Sequence, residues 1–196
     1  YACADEKDHV LNKIQTEKFY YLIQGLPSAK LSLANSSAIF LNKAFHVDLV
    51  RPGAALYGIN PTPYQKNPMK TVVHLYAKVI HVHEINEGET VGYGASYRVE
   101  KKGRLAVIEF GYADGLLRAL SNKGQVYFNG VRLKIVGRVS MDLITVDCSD
   151  IIDISVGKWV EILGENQSAD DVADAANTNG YEVLTRIGNR CRRIYL

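Results

Sequence analysis

Tyr93 stands between two glycines in GETVGYGASY (Gly88 to Tyr97), where no adjacent side chain can shield its ring. Such a turn would expose a lone functional side chain. The local pattern alone favours plainer uses, a β-bulge or a tight turn in which the ring covers core. Two further glycine-associated patches accompany it: FGYADG (Phe110 to Gly115) carries Tyr112, and GRVSMD (Gly137 to Asp142) carries Met141 and Asp142. Each by itself signals a hairpin turn. Ser36, in the NSS of Asn35 to Ser37, falls at a strand-to-helix junction, where unpaired amide donors can seat a phosphate. Such a serine is more often an N-cap and nothing else. Arg51 opens RPGA after the apolar run DLV, a position at the carboxyl end of a buried strand where α/β barrels keep their sites. Gly53 and Ala54 would then offer amides to an anion. Pairing of Arg51 with Asp48 before a proline turn stands as an equal alternative.

The composition narrows the field. With 196 residues, 47% apolar and 22% charged, the chain suits one large domain or two small ones with a real core. Its 23 basic and 21 acidic residues create no field that would gather nucleic acid or an anionic membrane. The arginines of RIGNRCRRI are confined to the last dozen residues, so an oligonucleotide-binding barrel gives way to a solvated or interface-facing strand. Cys3, Cys148 and Cys191 are widely spaced and lack metal or disulfide patterns, which fits a reducing, cytoplasmic setting. No apolar run of about 18 residues marks a membrane span, and no basic segment followed by an apolar core marks a secretory signal in these residues. The opening YACADEKDH reads as the middle of a longer sequence, so a missing N-terminal part is expected.

The elements that must position these residues change character along the chain. Residues 9 to 25 repeat apolar groups at Val10, Leu11, Ile14, Phe19, Leu22 and Ile23, which predicts an amphipathic helix ended by Gly25 and Pro27. KLSLANSSAIFLN then reads as strand, polar turn and helix, and VDLVRPGAALYG as a buried strand broken at Arg-Pro-Gly. This is the rhythm of βα units in a barrel. NPTPYQKNP (Asn60 to Pro68) holds three of the five prolines and is the expected linker. Beyond it, HLYAKVIHVHEI, GRLAVIEFGYA, QVYFNGVRLKIVGRV, LITVDCSD and KWVEILG are β-type runs at short spacing. One helix, SADDVADAANTNG, is expected there, with Ser168 as N-cap and Gly180 at its end. The fold class is therefore α/β followed by mostly β: the last βα units of a TIM-type barrel over residues 1–68, and an antiparallel β-barrel-like domain over 69–196.

LSLANSSAIF, DLVRPGAALYGINP, GETVGYGASYR, IEFGYADGLLRALSNKG, IVGRVSMDLITVD and GYEVLTRIGNRCRRIYL occur in this order. Together they closely resemble the C-terminal half of bacterial alanine racemase, over essentially the whole chain. The resemblance implies pyridoxal 5'-phosphate as cofactor, alanine as substrate, and a head-to-tail dimer whose sites borrow residues from the partner's β domain. It implies racemisation of L-alanine to D-alanine for peptidoglycan. Tyr93 matches the catalytic tyrosine that exchanges the α-proton on one face. A phenol's ordinary pKa is near 10, so its surroundings must tune it to act near neutral pH. Arg51 matches the arginine on the cofactor's pyridine nitrogen. Ser36, with the backbone of Gly53 and Ala54, matches the phosphate cradle, completed by the hydroxyl of Tyr181. Met141 matches the residue whose backbone meets the substrate carboxylate, and Tyr112 an entry-channel or site-wall tyrosine. Asp142 reads as structural.

The departures are informative. Where some family members have histidine three residues before Asn35, this chain has Ser32. The family's Schiff-base lysine, a linking histidine and a carboxylate-binding arginine lie upstream of the motifs found here. The expectation is a C-terminal portion, inactive alone, completed by a complementing N-terminal half. Two alternatives stay open: a non-catalytic dimerisation or regulatory β module, and a racemase of serine or broader specificity.

Overall fold

The computed structural model describes residues 1–196, which form two compact units, Tyr1–Val72 and Val73–Leu196. In the first, α1 (Val10–Ile23) starts where the His9 ring accepts the Leu11 N–H at 3.2 Å, and it closes on Gln24, just before Gly25. The expected amphipathic packing is not found: Val10, Leu11, Ile14 and Leu22 are all exposed, and Asn12 is the one buried residue of the helix. The apolar cluster of this unit, Ala4, Ala34 and Ala38 with Tyr1, Ile39, Leu41 and Val50 packed around them, includes no residue of the helix.

The two expected strands of this unit reduce to one parallel bridge, Ser32 to Leu49. The Leu49 N–H donates to the Leu31 carbonyl at 3.1 Å, and the Arg51 N–H to the Ala34 carbonyl at 2.9 Å. Leu49 is exposed, which corrects the reading of a buried strand before Arg51. Between the paired segments runs α2 (Ser36–Leu41), capped by Asn35, whose Oδ1 accepts the Ala38 N–H at 3.0 Å. The cap is therefore Asn35, and Ser36 is left for other use. A 3-10 turn follows at Ala54–Tyr57. The proline-rich segment stays with this unit, pinned by the Thr62 N–H on Asn60 Oδ1 and by Asn67 Nδ2 on the Gly58 carbonyl.

The second unit is built on eight strands: β1 (Leu75–Ile85), β2 (Thr90–Val91), β3 (Tyr97–Arg98), β4 (Gly103–Ile108), β5 (Gln125–Phe128), β6 (Val131–Lys134), β7 (Ile144–Asp147) and β8 (Trp159–Leu163). Six of them form an antiparallel sheet in the order β6-β5-β8-β1-β4-β7, and β2 pairs β3. The sheet's two ends meet where Ile135, just past β6, bridges Val146 of β7, and the Val136 N–H donates to the Thr145 carbonyl. This closure gives the barrel-like form and covers both edges. Alternation drives the packing: Ala77 and Val79 of β1 point inward while Tyr76 and Ile80 face out. Ile108, Val126, Ile135, Ile144, Val146 and Val160 fill the interior. β5 and β6 are joined by Asn129-Gly130, both at positive φ (49° and 79°), the two-residue turn whose twist suits a hairpin.

Two helices follow the last strand, where one was expected. α3 (Ala169–Ala176) carries a reciprocal cap between Ser168 and Asp171 and ends on Asn177, at φ 58°. Gly180 does not end it but opens α4 (Gly180–Arg186), capped by Asn179. Asparagine took the left-handed position expected of glycine, because its short polar side chain tolerates that conformation. Residues 187–196 form no strand, which corrects the reading of the terminal arginine run.

Candidate functional site

The first unit gathers Ser36, Arg51, Gly53 and Ala54 around one turn. Ser36 is buried, and its Oγ accepts the Gly53 N–H at 2.9 Å and the Ala55 N–H at 3.3 Å. The hydroxyl proton has no acceptor in the chain, and neither does the Ala54 amide between those two donors. The Gly53 amide, expected to face an anion, is instead held by the serine. A Cβ at Gly53 would meet nothing within 4 Å, so open space lies beside these groups. A hydroxyl held by two amides, a free N–H and an uncrowded glycine fit the phosphate ester of pyridoxal phosphate.

Arg51 is exposed, and its fork is fixed from behind. Nη1 donates to Ser32 Oγ at 2.6 Å and Nη2 to the Leu33 carbonyl at 3.3 Å. Asp48 accepts the Leu31 N–H at 2.8 Å instead, which removes the alternative Arg51 to Asp48 pair. Ser32, the departure from histidine, thus supplies the acceptor that orients the guanidinium.

In the second unit Tyr93 sits on the turn between β2 and β3 with 75% of its surface exposed. Gly92 and Gly94 adopt φ 76° and 70°, and Ala95 follows at 47°. A Cβ on Gly92 would come within 2.9 Å of the Arg138 amide nitrogen, and one on Gly94 within 3.2 Å of the Arg138 guanidinium. Both glycines are thus required by conformation and by close approach. Asn122 ties this turn to the loop that leads to Met141: its Nδ2 donates to the Ser96 carbonyl and its Oδ1 accepts the Gly137 N–H.

Tyr112 and Met141 lie on adjoining loops. The Tyr112 N–H donates to the Ser140 carbonyl at 3.0 Å and the Ala113 N–H to the Met141 carbonyl at 2.9 Å. Both side chains are exposed. Tyr181, the second residue of α4, is also exposed and shares no hydrogen bond with either loop. Sequence reasoning missed Asp114 and Arg190. Asp114 is buried and accepts the Gly111 N–H at 2.8 Å, while Arg190 reaches it at 3.2 Å and Asp142 at 2.7 Å. Asp142 hydrogen-bonding and the Asp114 charge raise the Arg190 pKa further above the usual arginine value. The YADG turn held a signal, since an aspartate among apolar residues needs a partner when buried.

The chain belongs to the alanine racemase family: the family's N-terminal domain matches residues 1–61 and its C-terminal domain residues 72–195. The catabolic alanine racemase of Mesorhizobium japonicum is 50% identical over 100% of this chain and 51% of its own length. The alanine racemase of Rickettsia bellii is 44% identical over 99% of this chain and 48% of its own. The crystal structure of the Bartonella henselae alanine racemase, with covalently bound pyridoxal phosphate, superposes with a TM-score of 0.94 at 44% identity, covering 100% of this chain and 55% of that one. The biosynthetic enzyme of Pseudomonas aeruginosa gives 0.94 at 39% identity, over 100% of this chain and 55% of its own. The chain thus spans about half the length of the curated relatives it matches. No helix is long and apolar enough to cross a membrane.

Proposed function

We propose that these residues serve a pyridoxal-phosphate-dependent amino-acid racemase acting on alanine, as part of a dimer in which the β unit of one subunit serves the site of the other. Two observations, one in each unit, support the reading: an exposed tyrosine on a glycine-built turn in the second, and a serine and arginine already oriented by the fold in the first. Ser36 and the Ala54 amide would hold the phosphate of the cofactor, and Tyr181 is proposed as a further hydroxyl donor to a phosphate. Arg51 would donate to the pyridine nitrogen of the cofactor, and since a guanidinium does not give up its proton, that nitrogen would stay unprotonated. The cofactor, when bound, supplies the acidity of the substrate's α-carbon. Tyr93 takes the α-proton on one face or returns it there. The Met141 backbone receives the substrate carboxylate, and Tyr112 walls the approach. The exposure of Tyr93, Tyr112 and Met141 supports their service to a second subunit.

The lysine that anchors the cofactor in the family has no counterpart among these motifs. Relatives include a catabolic and a biosynthetic enzyme, and one proton exchange serves both directions. The test is chiral analysis of products when the complete enzyme carrying this chain is given L-alanine or L-serine with cofactor. D-alanine formed in excess of D-serine supports the reading. Cofactor binding without any D-amino acid contradicts it and favours a non-catalytic β module.

A further inference from the structure

We propose that Arg190 is a positioning residue that locks the Tyr112 loop to the Met141 loop and so sets the place of the substrate carboxylate. This rests on the functional reading above. Arg190 Nε reaches Asp114 Oδ1 at 3.2 Å and Nη1 reaches Asp142 Oδ1 at 2.7 Å, so one planar fork spans two loops. On one side, Asp114 also accepts the Gly111 N–H, which closes the turn holding Tyr112. On the other, Asp142 directly follows Met141. The two backbones touch here: a Cβ at Gly111 would lie 2.3 Å from the Met141 carbonyl oxygen. The segment that carries Arg190 is anchored in turn, with the Gly188 N–H on the Asp114 carbonyl at 3.2 Å and Cys191 Sγ near the same oxygen at 3.7 Å.

The neighbouring Arg193 does something else. Arg193 bonds the Ile187 carbonyl and Asn189 within its own segment. Only a guanidinium can meet two carboxylates on separate loops at fixed angles, whereas a lysine ammonium meets one of them as a point charge. The lock acts on the backbone of Met141, not on the reacting atoms. Its loss therefore weakens substrate placement more than it slows proton transfer.

The test uses the complete enzyme and the variants Arg190→Ala, Arg190→Lys and Asp142→Asn. Arg190→Ala is expected to raise KM for alanine on the order of tenfold with a smaller fall in kcat, Asp142→Asn to do the same more mildly, and the double variant to fall short of the product of the two. Arg190→Lys should recover part of the loss. Exchange of the Tyr112 and Ala113 amides should quicken in Arg190→Ala. An unchanged KM, a purely multiplicative double variant or unaltered amide exchange overturns the lock. If Arg190→Ala does not fold, Asp142→Asn decides alone, because Asp142 is half exposed and its change leaves Asp114 paired. A wild-type enzyme without racemase activity would overturn the functional reading instead, and amide exchange would still judge the lock.

Discussion

Glycine at 92 and 94 fixes where the Tyr93 hydroxyl can go. Gly94→Ala is expected to cost about 1 kcal/mol, because φ of 70° disfavours a Cβ and the Arg138 guanidinium must move aside. Gly92→Ala should cost more, since its Cβ would meet backbone, which cannot yield. Urea midpoints of both variants check the order. Several site residues were legible singly. Tyr93 and Arg51 stood out by type and by neighbouring glycines, and Ser36 by its place at a strand-to-helix junction, but their partners did not. That Asn35 takes the cap, freeing Ser36, depends on which of two adjacent polar residues turns first into the helix. That Ser32 holds Arg51 depends on a parallel pairing between segments 19 residues apart. Arg190 read as a solvated charge because nothing local tells which of a run of arginines faces a buried carboxylate.

At the scale of elements, the short β runs of the second unit were visible in their alternation, and the Asn129-Gly130 hairpin in its turn residues. The helices were less so. α1 shows the right spacing yet buries only Asn12, because periodicity reports what a helix could cover and not whether a surface is there to be covered. The split of SADDVADAANTNGYEVLTR into α3 and α4 turns on Asn177 adopting the left-handed conformation, a choice the sequence leaves to either Asn or Gly. The Ser168 cap was legible because serine, two first-turn aspartates and the helix follow in order. Ser168→Ala should destabilise the second unit by about 1 kcal/mol through loss of the bond to the Asp171 amide. Thermal melts of wild type and variant give the comparison.

For the whole molecule, the thiols of buried Cys148 and half-buried Cys191 are expected to make stability fall in alkali. Burial pushes the Cys148 thiol above its ordinary value of 9.0, with Asp147 adding to the rise and Arg104 opposing it. Burial raises Cys191 likewise, helped by Asp114. An acid raised in the folded state ionises first in the unfolded chain. The stability it contributes is complete below its ordinary value and is lost as pH climbs through the folded one. The urea midpoint should therefore drop between about pH 8 and pH 10, and Cys148→Ala should flatten that slope while lowering the midpoint throughout. The change from α/β to β along the chain was legible in composition. The closing contact of Ile135 with Val146 was not, since it joins strands whose pairing only the completed sheet decides.

In the function proposed above, the Tyr93 hydroxyl moves the α-proton on one face of alanine. The most direct measurement compares wild type and Tyr93→Phe in the complete enzyme, following racemisation and α-hydrogen exchange of each alanine enantiomer in deuterium oxide. Racemisation should fall by about a thousandfold with cofactor absorbance unchanged, and exchange should survive for one enantiomer and vanish for the other. Racemisation by Tyr93→Phe at the wild-type rate, or equal loss of exchange for both enantiomers, would contradict it.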